Sequence, residues 1–252
     1  MTPRIHPLSA SGKSKPGNHA IIAFPHAGGS PRFYASWCRE LHAGTDLYGV
    51  TYPGRDVLLD EPAPKTLVDL ASECATECKP IIQSSSSVVM FGHSMGAYVA
   101  FEATRSLEQS GIPVTALVVS GTDAPHLQPQ PGTEQAWHRA SDDDLVRQAG
   151  DVDVRSREVL AVPELRRMFL PIIRDDYRLV ENYRAEPNPQ LSSPIHIMNG
   201  ESDPEVTESR SAAWAEYTRA DWHVRLFPGD HFYLAEHTAQ VVAYLSHMLR
   251  GT

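Results

Sequence analysis

An apolar run, Val88-Val89-Met90-Phe91, leads straight into Gly92-His93-Ser94-Met95-Gly96, and the stretch from Ala97 to Ala103 that follows reads as a helix. Strand, sharp turn and helix in that order constrain the fold more than any other segment. The turn projects the Ser94 hydroxyl from the strand end, and the glycines omit the Cβ atoms that would clash in so tight a bend. A Gly-x-Ser-x-Gly string arises often by chance. Its flanks here make Ser94 a candidate nucleophile rather than a loop serine that caps a helix.

The rest of the chain repeats the alternation. Apolar strands are expected at Ala20 to Phe24, Leu47 to Tyr52, Val114 to Ser120, Ile195 to Met198 and Trp222 to Phe227. Helices are expected at Phe33 to Leu41, Leu67 to Gln83, Ser209 to Tyr217 and Thr238 to Leu249. Gly111 supplies a C-terminal stop for the helix after Ser94. Near-continuous apolar strands alternating with helices specify an α/β class, with a mostly parallel central sheet covered by helices on both faces. The rhythm breaks from about 121 to 190. There, Ser141-Asp142-Asp143-Asp144 resembles a capping sequence, and Pro163 and Pro171 each suit a first helical position. Leu165, Met168, Phe169, Ile172, Ile173, Leu179, Val180 and Tyr183 recur at helical spacing, which makes this segment a helical insertion.

One domain over 19–252 accommodates the pattern, preceded by residues 1–18, whose Ser, Pro, Gly and Lys content reads as a disordered arm without the apolar core of a secretory signal. The 252 residues carry a net charge of -9, which argues against a nucleic-acid partner. No run reaches the roughly 18 apolar residues of a membrane helix. The three cysteines, Cys38, Cys74 and Cys78, form neither a disulfide framework nor a metal-ligand pattern, which suits a cytoplasmic setting. A monomer is the expected state.

A serine hydroxyl needs a base within hydrogen-bond reach, and the base needs an orienting acid. Asp203 follows the Ile195 to Met198 strand, and His231 follows the Trp222 to Phe227 strand. With Ser94 they give the chain order Ser, Asp, His at strand ends. In a parallel sheet such ends share one edge, where ligands bind. Glu201 and Asp230 rival Asp203 from less suitable loop positions. Among 12 histidines, His231 is singled out by its Gly-Asp-His-Phe setting. His93 is expected to point away from the catalytic face, as a packing or hydrogen-bonding support, and His26 could line the site. A tetrahedral oxyanion calls for two preorganised N–H donors. Met95, after the nucleophile, is one; Ala27, in the His26-Ala27-Gly28-Gly29 loop, is the other.

Four segments resemble the stand-alone type II thioesterases of polyketide and nonribosomal peptide synthesis, which have the α/β-hydrolase fold. They are Phe24-Pro25-His26-Ala27-Gly28-Gly29-Ser30, Tyr52-Pro53-Gly54-Arg55, Phe91 to Ala97 and Gly229-Asp230-His231-Phe232. The resemblance covers nearly everything after residue 18, and the helical segment ending Ile173 to Tyr177 is similar to the family's lid region, which makes the insertion at about 121–190 a helical lid. It implies a nucleophile at Ser94, an acid at Asp203, a base at His231 and oxyanion donors at Ala27 and Met95. It also implies hydrolysis of acyl thioesters on the phosphopantetheine arm of acyl or peptidyl carrier proteins, clearing stalled or aberrant acyl groups. No metal or bound cofactor is implied, since the pantetheine belongs to the carrier. Relatives tend to carry a further basic residue after Pro-Gly-Arg, where this chain has Asp56. Carriers are often acidic, so docking onto this acidic chain calls for a local patch; Arg166, Arg167, Arg174 and Arg178 are candidates. The alternatives are a medium-chain fatty acyl-carrier-protein thioesterase, a general carboxylesterase and a catalytically silent carrier-binding protein.

Overall fold

A computed structural model describes residues 3–8, 18–128, 136–188 and 190–250. Seven strands form one sheet: β1 (Ile5–Pro7), β2 (His19–Phe24), β3 (Thr45–Val50), β4 (Ser87–His93), β5 (Ala116–Ser120), β6 (Ile195–Gly200) and β7 (Trp222–Phe227), in the order β1-β3-β2-β4-β5-β6-β7. All neighbours run parallel except β1, which is antiparallel to β3.

The period of two along each strand sorts the core into two layers. Ala20, Ile22 and Phe24 of β2, Val88 and Met90 of β4, and Leu117 and Val119 of β5 face one layer, together with α1 (Leu67–Ser84) and α2 (Met95–Gln109). Ile21, Ala23, Val89, Phe91, Ala116 and Val118 face the other, under the 3₁₀ segment Pro31–Arg39 and the C-terminal helix over Thr238–Leu249. Burying a large side chain such as Phe24 or Phe91 stabilises by about 1.5–3 kcal/mol, so β4, buried along nearly its whole length, is held firmly at the centre. Helix α1 starts at a reciprocal capping box, with Thr66 Oγ1 accepting from Asp69 N–H and the Asp69 carboxylate accepting from Thr66 N–H.

Residues 121–190 contribute helices: α3 (Asp142–Val152), α4 (Val154–Leu160) and α5 (Pro163–Glu181). They carry a small core of their own, built on Leu145, Ala149, Leu160, Leu170 and Ile173. Pro163 takes the first turn of α5, as expected, but Pro171 lies inside the helix instead of starting a second one. Pro171 is exposed, so water can serve the carbonyl left without its N–H partner. Beyond β6 come α6 (Glu208–Ala212), then α7 (Tyr233–Glu236) after β7, and α8, the helix over Thr238–Leu249.

The arm expected to be disordered over 1–18 needs correcting where it is described; residues 1–2 and 9–17 lie outside the described residues. Ile5, His6 and Pro7 pair with Val50, Gly49 and Tyr48. The buried Arg4 guanidinium meets Glu61 at 2.9 Å and Glu73 at 2.7 Å. Its backbone N–H donates to Glu77 at 2.6 Å. Three carboxylates from distant segments supply a partner set that no local pattern announces. Among the described residues no helix is long and apolar enough to cross a membrane.

Candidate active site

The turn after β4 has the geometry its sequence requires. Ser94 sits at φ 53° and ψ -122°, off the regions open to ordinary side chains. A Cβ on Gly92 would lie 2.1 Å from Gly96 O, and one on Gly96 would lie 2.1 Å from Phe24 O. Both glycines are therefore needed for close backbone approach rather than for their own dihedrals. Ser94 N–H donates to Ser120 O at 2.7 Å, tying the turn to the end of β5.

Asp203 and His231 meet on the same edge of the sheet. His231 Nδ1 lies 2.8 Å from Asp203 Oδ2, and both residues are buried. The loops that carry them are zipped together: Glu201 N–H donates to Phe227 O at 2.8 Å and Ser202 N–H to Gly229 O at 2.9 Å. The two rivals are excluded by placement. Glu201 and Asp230 are exposed, and Asp230 instead accepts from Phe232 N–H at 2.8 Å.

The imidazole of His231 lies beside the serine turn. A Cβ on Gly121, next to the Ser120 that holds Ser94, would be 3.1 Å from His231 Cε1. The Ser94 side chain caps no amide of α2, and its hydroxyl has no hydrogen-bond partner among the described residues. The structure thus makes the acid–imidazole contact and leaves the serine–imidazole contact open, a contact that commonly tightens only with substrate in place.

His93 departs from expectation. Its Nδ1 is 3.0 Å from Ser120 Oγ, a supporting hydrogen bond, but the ring does not point away: it lies 4.7 Å from the His231 ring. The cause is strand parity. His93 follows Val89 and Phe91 onto one face of β4, and the His231 loop descends on that face. His26 joins them in edge contact with Phe232, at 4.9 Å, and Phe33, at 5.1 Å. Burial, reinforced by the nearby charge of His231, pushes the His26 imidazole down to about 3. Burial, then repulsion from His231 and His26 in their protonated forms, also holds His93 well below the usual histidine range. Both rings are neutral at ordinary pH.

Ala27 lies in the loop after β2 and Met95 at the first turn of α2; among the described residues neither backbone N–H meets an acceptor. Two residues near this loop are not singled out by spacing. Asp176, on α5, accepts from Gly28 N–H at 2.7 Å and from Arg55 Nη2 at 2.7 Å, while Arg55 Nη1 donates to Gly29 O at 2.9 Å. The available signal is an acid at the centre of the apolar stripe between Ile173 and Leu179. Behind this pair, a cleft of about 340 Å³ runs between the Tyr52 to Arg55 segment and α5. From α4, Arg155 lies over the rings of Phe33, at 5.3 Å, and Phe232, at 5.2 Å, so the helical insertion reaches the His231 loop.

The four arginines considered for docking already have partners. Arg166 meets Asp143 at 2.7 Å, Arg167 meets Glu164 at 3.2 Å, Arg174 meets Asp142 at 2.6 Å and Arg178 meets Asp175 at 3.2 Å. Asp56 accepts from Ser30 Oγ at 2.6 Å and bonds within its own neighbourhood. Among the described residues no cluster of three or more His, Cys, Asp or Glu side chains is placed to hold a metal ion.

A family model for a thioesterase domain matches residues 19–249. The chain belongs to the thioesterase family. The thioesterase PikA5 of Streptomyces venezuelae is 33% identical to it over 231 residues, which is 91% of this chain and 80% of that protein. The probable cadicidin biosynthesis thioesterase of Streptomyces griseus is 32% identical over 93% of this chain, and this thioesterase spans 62% of that protein's length. Among solved structures, the type II thioesterase BorB from the borrelidin biosynthetic cluster superposes with a TM-score of 0.82 at 36% identity, over 98% of this chain and 96% of that one. YbtT, the type II thioesterase of the yersiniabactin NRPS/PKS pathway, also gives 0.82, at 31% identity over 98% of each chain. The thioesterase shares the α/β-hydrolase fold with these neighbours. Their kinship favours the type II reading over a fatty-acid or general ester hydrolase.

Proposed function

We propose that this thioesterase hydrolyses acyl groups from the phosphopantetheine arms of carrier proteins in polyketide or nonribosomal peptide synthesis, removing stalled or aberrant chains. The observation that carries the mechanism is the buried 2.8 Å contact between His231 Nδ1 and Asp203 beside the strained Ser94 turn. It fixes Nδ1 as the protonated nitrogen and leaves Nε2 free to act as a base.

His231 Nε2 takes the Ser94 hydroxyl proton as Oγ attacks the thioester carbonyl. The oxyanion forms toward the N–H groups of Ala27 and Met95. Collapse breaks the C–S bond, the pantetheine thiol leaves with the proton from Nε2, and an acyl-Ser94 ester remains. Water then gives a proton to Nε2 and attacks the ester; Ser94 departs with that proton and the free acid is released. Asp203 stabilises the imidazolium at each step. The chemistry calls for no metal or bound cofactor. The carrier is a transient partner of what is proposed to be a cytoplasmic monomer.

The test is intact-protein mass spectrometry with a panel of acylated carriers. Release of short acyl groups through a Ser94 adduct is expected. Strong preference for decanoyl carriers would favour the fatty-acid alternative, and faster turnover of simple esters would favour a carboxylesterase. Carrier binding without acyl release would mark a silent binding protein.

A further inference from the structure

The oxyanion loop is held largely from outside. The peptide unit that carries the Ala27 N–H has as its oxygen His26 O, which accepts from Gly29 N–H at 2.9 Å. The next unit presents Gly28 N–H, held at 2.7 Å by Asp176 Oδ2. Gly29 O is held at 2.9 Å by Arg55 Nη1, and Arg55 Nη2 returns to Asp176 Oδ1 at 2.7 Å. Ahead of the turn, Tyr52 OH donates to Pro25 O at 3.1 Å. Around the Ala27 N–H, Pro25 O, Gly28 N–H and Gly29 O are thus tied down from outside the loop and His26 O from within it, while that N–H meets no acceptor among the described residues.

Two features make this more than a stabilising ion pair. Asp176 and Arg55 are both almost wholly buried, at 3% and 6% exposure. Buried pairs of this kind contribute little net stability compared with apolar residues of similar volume, so geometry rather than stability accounts better for them. Moreover, the carboxylate comes from α5, in the helical insertion, and that helix is seated directly on the loop. Gly28 has φ +71°, and a Cβ there would stand 2.8 Å from Ile173 Cγ1.

We infer that Asp176 and Arg55 are positioning residues for the oxyanion hole: Asp176 through Gly28 N–H, and Arg55 through Gly29 C=O, set the direction of the Ala27 N–H. The inference rests on the serine mechanism proposed above. Neither residue touches the reacting atoms.

The test compares Asp176→Asn, Arg55→Lys and Ser94→Ala with the wild type. It measures kcat and KM on an acyl-carrier substrate, inhibition by an alkyl trifluoromethyl ketone, whose adduct places an oxyanion in the hole, and thermal melting. Losing an oxyanion donor outright lowers kcat about 10²–10³-fold. A donor that is present but misdirected should lose less, so Asp176→Asn is expected to lower kcat roughly 10–100-fold. Its affinity for the ketone should fall by a similar factor, with KM nearly unchanged. Arg55→Lys keeps the charge and should show a smaller loss in the same direction; it decides the matter if Asp176→Asn does not fold. A purely structural role would lower melting temperature but leave kcat per folded molecule and ketone affinity at wild-type values, and that result overturns the proposal. So does a loss confined to KM. If Ser94→Ala keeps its turnover, the serine mechanism has failed and this inference falls with it. If Ser94→Ala is inactive while Asp176→Asn behaves like wild type, the inference alone is lost.

Discussion

Ser94 offers a perturbation whose effects on stability and activity point in opposite directions. Its backbone is held at φ 53°, ψ -122°, and its side chain caps nothing and has no hydrogen-bond partner among the described residues. Removing the hydroxyl in Ser94→Ala should therefore change stability by less than about 0.5 kcal/mol, because no bond is lost and the Cβ stays. Ser94→Gly removes the Cβ as well. A non-glycine residue in such a conformation stores about 1–3 kcal/mol, while the added freedom of glycine in the unfolded chain returns about 0.4–1 kcal/mol. The net expectation is that Ser94→Gly is more stable than Ser94→Ala by about 0.5–2 kcal/mol. For a chain of this size that is roughly 1–8 °C in Tm. Calorimetry of the three proteins at one scan rate, beside carrier deacylation assays, reads both effects: two inactive variants, of which only the glycine one melts higher than wild type. A Ser94→Gly protein that melts at or below Ser94→Ala would show that the turn stores no strain and that its dihedrals follow from neither nucleophile exposure nor close packing.

Asp203→Asn should lower kcat by about 10³–10⁴ with little change in KM, since an amide beside Nδ1 favours the wrong tautomer; activity within tenfold of wild type would remove Asp203 from the mechanism. Gly96→Ala places a Cβ 2.1 Å from Phe24 O, a clash with backbone rather than with a flexible side chain, and should destabilise by more than about 2 kcal/mol, read as a lower urea midpoint. Acid should weaken the fold through His26. Its folded-state value is lowered from 6.5 to about 3, so between those values the unfolded chain binds the extra proton, and stability is lost as pH falls below about 6.5, by up to about 1.4 kcal/mol per pH unit. Urea titrations at pH 7.5 and 5.5 should show this slope in wild type and a shallower one in His26→Asn; equal slopes would contradict the buried, neutral imidazole.

The parts of the molecule that depend on local pattern are readable from the chain. Five strands beside β4 are legible as apolar runs, and the serine turn from its two glycines. Asp203 and His231 follow from their places after β6 and β7, because a parallel sheet gathers such positions on one edge. Long-range pairing is what escapes. Ile5–Pro7 is too short to show a period, and its place depends on β3 and on Glu61, Glu73 and Glu77 around Arg4. The orientation of His93 depends on where a loop 138 positions later comes to rest, roughly the kind of separation no periodicity encodes. Arg55 and Asp176 meet across a separation of 121 residues. Only the acid interrupting the apolar stripe of α5 hints that something buried awaits it.

The paired arginines of the helical insertion bear on how carriers are chosen. Arg166, Arg167, Arg174 and Arg178 each have a carboxylate within 3.2 Å, so an incoming acidic partner meets almost no attractive field there. On a chain of net charge -9, charge is not expected to draw an acidic carrier to that face, and added salt should ease the encounter by screening repulsion. For a carrier that docks on this face, discrimination is expected to fall to the contour of the two surfaces and to how apolar side chains mesh once they have collided.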